Sequence, residues 1–361
     1  MSDQTPASPP TGATATTPPA DEHRRIEAAA AGEGETQSGF VRFMSSPFGR
    51  NLGLVVALLV LCVVGAITAG DRFVDADNMV TILRFASIIG VVSIGMTFVI
   101  IGGGIDLSVG AIVALSSVWA TTLATQTMAE DTHWLLMVFV ACAVGVGCGL
   151  VNGVLVAYGR MAPFIATLAM FAAARGLAEI ISEKRTQLVD VRGLVDTING
   201  EFLGISVLIW IFAVVSAIGW VLLNRTTFGR RTIAVGGNAT AARLAGIAVK
   251  RHTVLLYVVL GLACGIAGIM LTARTGTGSA THGQLYELDA IAAVVIGGTL
   301  LTGGRGTIVG TIIGVLIFTT LTNVFTLNNL DSSTQAVAKG AIIVIAVLLQ
   351  QRVSVRSADS S

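Results

Sequence analysis

Ten apolar runs, each close to the length a helix needs to cross a bilayer, fill the chain between residues 51 and 350. They lie at about 51–69, 79–101, 105–125, 134–158, 163–182, 205–223, 253–274, 288–303, 307–327 and 334–350. A hydrocarbon core ~30 Å thick calls for about 20 apolar residues. Inside it every backbone N–H and C=O has to bond within its own segment or a closed barrel. Runs of this length therefore predict an all-α integral membrane protein, a polytopic bundle of about ten transmembrane helices. With 53% hydrophobic and 12% charged residues and a mean hydropathy of +0.82, the chain is suited to lipid rather than to water. Its 42 glycines fit the same reading, because small residues let helix backbones approach where dispersion and weak polar contacts hold them together.

Charge gives the orientation. Residues 224–252 carry Arg225, Arg230, Arg231, Arg243, Lys250 and Arg251 and no acid, and basic residues accumulate in cytoplasmic loops. Arg160, Arg305, Arg352 and Arg356 fall on the same side, whereas Asp71, Asp75, Asp77, Glu130, Asp131, Asp190, Asp196, Glu201 and Asp331 fall opposite, with a basic minority of Arg72, Lys184, Arg185 and Arg192. Ten spans place both termini in the cytoplasm. Three regions follow: a disordered cytosolic N-terminal tail over 1–45, a membrane domain over 46–352 with a cytosolic loop at 224–252, and a short cytosolic C-terminal tail over 353–361. The N-terminal tail is rich in Pro, Thr, Ala, Ser and Glu without apolar periodicity, a composition that does not offset its ordering entropy. Within the loop, Gly236 and Gly237 break the chain ahead of an alanine-rich stretch able to form a short helix, which reads as a docking surface for a cytosolic partner. The outside loop 183–204 is the longest and most polar, with room for a small helix.

Polar groups inside the runs narrow the function, since each is costly in lipid and survives only when paired or facing water. Asp106 follows three glycines and precedes Ser108, which suits a cap for the next helix. Arg175 and Glu179 stand four apart on one helical face, close enough to neutralise each other, as a structural pair or as a pair lining a path. Asn152 and Asn323 lie deep in apolar runs, where an amide bonds a neighbouring helix or a passing hydroxylated solute. Arg84 and Asp289 sit near span ends and read as interfacial. Two very short glycine-rich connections, Gly102–Gly104 and Gly303–Gly306, each follow an Ile-Gly-Gly. Six spans separate them, so they are not mates in an inverted repeat, and no internal symmetry is predicted.

Enzymatic constellations are missing from the sequence. The four histidines lack HExxH spacing, no lysine follows a glycine as the phosphate-cradling loop requires, and no serine stands in Gly-x-Ser-x-Gly. The expectation is a transporter subunit without its own ATPase site, and without catalytic residues or a metal. Cys62, Cys142, Cys148 and Cys264 all lie in apolar runs and read as small buried hydrophobes. The basic loop lacks the interleaved aromatics of a base-stacking surface, so no nucleic-acid partner is expected.

Four stretches carry a resemblance: IGGGIDLSVGAIVALSS at 101–117, APFIATLAMFAAARGLA at 162–178, GGNATAARLAGI at 236–247 and AIAAVVIGGTLLTGGRGTIVGTIIGVLIF at 290–318. Across about 50–350 the chain resembles the permease subunits of bacterial ABC importers for sugars of the ribose/xylose type, within the wider branched-chain amino acid and sugar permease family. The resemblance implies a half-transporter in the bacterial cytoplasmic membrane that moves a monosaccharide by alternating access. It implies a second permease copy as a homodimer, an extracytoplasmic sugar-binding protein, and a cytosolic ATPase that alone binds ATP and Mg. It also implies that 236–247 couples to the ATPase, beginning at Gly236, with Gly237 and Asn238 setting a turn and Ala241, Ala242 and Gly246 keeping the face small. Two other readings stand beside this one: a self-contained ion-coupled carrier using Asp106, Glu179 or Asp289, and a permease for branched-chain amino acids.

Overall fold

The structure, a computed structural model, describes residues 47–358. The expected N-terminal tail lies outside the described residues. Each of the ten apolar runs becomes a helix: α1 (Pro47–Ala69), α3 (Ala76–Ile101), α4 (Val109–Ala120), α6 (Leu135–Ala157), α7 (Pro163–Ile181), α9 (Val207–Arg225), α12 (Val249–Thr275), α13 (Tyr286–Ile296), α14 (Ile308–Leu327) and α15 (Ser332–Ala358). Short helices lie between them: α2 (Asp71–Val74), α5 (Leu123–Asp131), α8 (Arg192–Asn199), α10 (Thr227–Gly237) and α11 (Ala239–Leu244). α15 continues helical to Ala358, past the boundary set at 352.

Burial sorts the helices. Of the most apolar window of α3, 89% is buried, against 11% in α1, and α12 follows α3 at 67%. A helix apolar on all sides and buried on all sides is a core strut, and one left exposed faces lipid. α12 joins α6 through a glycine seam. Gly145, Gly149 and Gly153 recur every four residues on α6, and a Cβ on any of them would run into the backbone of Gly261, Tyr257 or Val254. This spacing makes one smooth stripe per helix, which is why the glycine content stabilises rather than weakens the bundle.

Among the described residues seven helices are long and apolar enough to cross a membrane, and α4 reaches that length only together with α5. α4 has 12 residues and α13 has 11, about 18 and 16 Å of helix, well short of the ~30 Å core. The run predicted at 105–125 spends its first residues in a non-helical connection, and α4 bends by 56° into α5. The run predicted at 288–303 breaks at Gly297 and Gly298, the latter at φ +84°, a conformation glycine adopts without strain. Apolar length cannot distinguish a span from a half-helix plus an apolar turn.

The half-helices also reveal a symmetry absent from the sequence reading. α3 and α12 run antiparallel, Gly95 facing Leu260 and Ala263 while Gly102 faces Leu256. Each is followed by a non-helical connection and then a half-helix: 102–108 into α4, and 276–285 into α13. The two half-helices begin against each other, where Gly110 and Gly283 pack backbone to backbone. The glycine segments 102–104 and 303–306 are indeed not mates. The segment corresponding to 102–108 is 276–285, GTGSATHGQL, which looks nothing like it in sequence, so the antiparallel correspondence is carried by the backbone alone.

The loop 183–204 folds onto the bundle. α8 buries Leu194 and Ile198, Asn199 donates to the Ala273 carbonyl at 2.7 Å, β1 (Gln187–Leu188) pairs antiparallel with β4 (Thr277–Gly278), and β2 (Glu201–Phe202) pairs antiparallel with β3 (Ile205–Ser206).

Candidate functional site

The basic loop builds a short raised helix with both ends closed. Asn238 Oδ1 accepts from the Thr240 and Ala241 N–H groups at 3.0 and 2.9 Å, capping α11 at its start. At the other end Gly246 takes φ +83°, its N–H donates to Arg243 O, and the Ile247 N–H donates to Ala242 O. That is the double-bonded glycine stop of a Schellman turn. An Asn and a Gly eight residues apart thus cut out a six-residue helix and leave its outer face free.

The six residues predicted for this surface divide. Gly237, Asn238, Ala241 and Gly246 are exposed, whereas Gly236 and Ala242 point inward. Gly236 is packed against two other segments: a Cβ there would overlap the Ile101 carbonyl oxygen and stand 2.7 Å from Gly304 N. The Gly304 N–H in turn donates to Ile101 O at 2.8 Å. Three glycine segments, 101–104, 236–237 and 303–306, therefore meet at one junction. It ties the end of α10, just ahead of α11, to the end of α3 and to the α13–α14 connection. Phe98, Phe228 and His252 form a row of mutually tilted rings with centroids 5.8 and 4.8 Å apart, and His252 Nε2 bonds Thr232 Oγ1 at 2.9 Å. Sequence reading passed over Leu244, which is 85% exposed at the apex of α11. Its signal was a large apolar side chain alone among alanines.

Inside the bundle the polar residues form two groups. Asp106 does not reach the first turn of α4. It accepts from the N–H and hydroxyl of Ser108 at 2.7 and 2.5 Å, and Asn152 of α6 donates to both Asp106 and Ser108, at 3.1 and 2.9 Å. All three are buried, so they staple the 102–108 connection to α6. Arg175 and Glu179 form no direct pair. Glu179 is exposed, while the Arg175 guanidinium donates to the Ala280 and His282 carbonyls and so grips the 276–285 connection. Backbone carbonyls brought from a hundred residues away outcompete a solvated neighbour. His282 Nδ1 sits 2.8 Å from Ser117 Oγ, which accepts from Thr272. Burial and the Arg175 charge push the His282 imidazole down to about 4.

Asn323 belongs to a separate place. It exchanges two amide hydrogen bonds with Asn78 of α3, at 2.8 and 3.2 Å, on the wall of a cavity of about 350 Å³ between α3, α13, α14 and α15. Thr319, Thr322, Tyr286 and Phe318 line it with an ion pair, Asp289 to Lys339 at 3.3 Å. Asp289 is thus held inside by a partner on α15 rather than at the interface. Ile82, Phe85, Ile89 and Leu327 also line the wall, so the cavity sets amides, hydroxyls and a charge pair among apolar side chains within the bundle.

Comparison with known proteins agrees with this architecture. Residues 78–347 match the family described as the permease component of branched-chain amino acid transport systems. The chain belongs to this permease family. It is 44% identical over 307 residues to the ribose import permease protein of Bacillus subtilis, covering 84% of this chain and 94% of that one. It is 38% identical to the ribose import permease protein of Escherichia coli over 88% of this chain and 98% of that one. Identity to the L-arabinose ABC transporter permease protein of Azospirillum brasilense is 39%, over 83% and 87% of the two chains. No solved structure matches the chain. The chain is accordingly a multi-pass protein of the bacterial plasma membrane and a transporter component.

Proposed function

We propose that this chain is the gate of an ATP-driven importer for a monosaccharide of the ribose/xylose kind. Two copies form the path, an extracytoplasmic sugar-binding protein delivers the solute, and a separate cytosolic ATPase binds ATP and Mg. The observation that carries this reading is the closed, exposed helix α11 joined through Gly236 to α3 and to the α13–α14 connection. A self-contained carrier needs no such element. Movement of a docked ATPase displaces α11, and the glycine junction passes that displacement to the two segments flanking the half-helices, so that access alternates between sides. Differential contact of the ATPase with the two arrangements supplies the bias. The Asn78–Asn323 cavity serves as a station for sugar hydroxyls, and the Asp106–Asn152 staple and the Arg175 grip hold the two connections on which the gate turns.

The test is uptake of labelled ribose, xylose and leucine by vesicles containing the chain with its ATPase. ATP-dependent entry of a pentose supports the reading. Entry of leucine instead, or of sugar driven by a proton gradient without the ATPase, overturns it.

A further inference from the structure

A second polar cavity, of about 590 Å³, opens where α6, α11 and α12 meet on the basic side of the protein. Three cations from three elements face it: Arg160 of the α6–α7 connection, Arg243 of α11 and Lys250 in the first turn of α12. Among the described residues no carboxylate lies within ion-pair distance of any of them. Like charges brought together repel unless an anion joins them. The arrangement is held all the same: Arg160 sits at φ +56°, in the left-handed region that non-glycine residues rarely enter, and the Met161 N–H closes the turn onto Leu155 O at 3.2 Å. Lys250 Nζ rests 5.4 Å from the centre of the Tyr158 ring.

The remaining wall is apolar except for Thr253. Val156, Ala157 and Val249 line the cavity, and Leu150, Val151 and Val154 continue from it along α6 as exposed side chains. We propose that this cavity binds the phosphate-bearing headgroup of an anionic phospholipid, whose acyl chains lie along the α6 stripe. The charged end of the site meets the negative headgroup and the apolar end meets hydrocarbon, a division that neither a free phosphate nor an acidic protein surface would use. Basic pockets between helices on the cytoplasmic side have this chemistry. Because Arg243 stands on the docking helix itself, the lipid also tethers α11 to the membrane surface and limits how far it swings. Only that last consequence rests on the proposed coupling role; the site does not.

The test uses the full chain in nanodiscs of phosphatidylcholine with graded phosphatidylglycerol, with retained lipid counted by native mass spectrometry. Phosphatidylglycerol is retained in preference to phosphatidylcholine. Arg160→Gln and Lys250→Gln each weaken its retention about fivefold, from ~1 kcal/mol per basic residue at such a surface. Arg160→Lys keeps it, which separates lost charge from lost fold, and Arg231→Gln on the outer side of α10 leaves it unchanged. Equal retention of the two lipids, unchanged retention in both Gln variants, or displacement of the lipid by millimolar inorganic phosphate overturns the proposal.

Discussion

Adjacent glycines at the end of α10, in the proposed coupling element, are expected to respond in opposite ways to the same substitution. Both lie at the end of α10 with ordinary helical φ, so alanine carries no conformational penalty at either. At Gly237 a Cβ meets nothing within 4 Å, and Gly237→Ala should stabilise the fold by up to about 0.5–1 kcal/mol through reduced unfolded-state entropy. At Gly236 the Cβ would overlap the Ile101 carbonyl and press on Gly304 N, both of them backbone with no rotamer to yield. Overpacking of this kind costs about 1–3 kcal/mol. Parting Ile101 from Gly304 also loses their hydrogen bond, for ~1 kcal/mol more. The entropic gain is common to both variants and cancels, so they should differ by about 2–4 kcal/mol in stability, read as separated thermal unfolding curves of the detergent-solubilised chain. Gly236→Ala should in addition uncouple sugar uptake from ATP hydrolysis, since the junction it opens joins α10 to the end of α3 and to the α13–α14 connection. Equal melting of the two variants would refute the triple-glycine junction. A destabilised Gly236→Ala that still coupled normally would refute its role in transmission.

Other outcomes follow from the same geometry. Leu244→Ala should leave the melting curve within about 0.5 kcal/mol of the parent, its side chain being 85% exposed, yet weaken ATPase association about tenfold or more, because burying a leucine is worth ~1.5–3 kcal/mol; co-purification and stimulated ATP hydrolysis measure both. Blocking the docking face with a large ring is better done at Ala245 than at Gly246, whose φ of +83° would add ~1–2 kcal/mol of backbone strain to any steric effect. Lys339→Met alone strands the Asp289 carboxylate and should cost about 3–5 kcal/mol, while Lys339→Met with Asp289→Leu should recover most of the stability but not uptake. For His282 the folded value of about 4 lies below the ordinary 6.5, so the neutral ring contributes stability that is fully present above pH 6.5 and is lost as pH falls toward 4. The loss is roughly 3 kcal/mol at most, and His282→Gln should flatten that part of the pH–stability profile.

Some of this was readable one residue at a time. Asn238 and Gly246 are local signals, a side chain that caps and a residue that tolerates positive φ, and the helix they delimit stands where the sequence places it. The split between Gly236 and Gly237 was not readable. Two identical residues in a row differ only in what other segments bring to them, and Ile101 and Gly304 lie 135 and 68 positions away. Arg175 shows the same limit from the other side. Helical spacing offered Glu179, whereas the fold offered two carbonyls of the 276–285 connection, which periodicity has no means of registering.

Hydrophobic run length and the uneven placement of lysine and arginine decided, from the chain alone, that this is a polytopic helical membrane protein with a basic cytosolic loop. Those features act through solvent, and solvent preference is a property each segment carries with it. Which runs cross and which stop halfway, the inverted pairing of α3–α4 with α12–α13, the meeting of three glycine segments under the docking helix, and the pairing of Asn78 with Asn323 were decided only by tertiary packing. Each depends on contacts at short range in space between residues remote in sequence, where a single missing Cβ or a single carbonyl determines whether two backbones can touch.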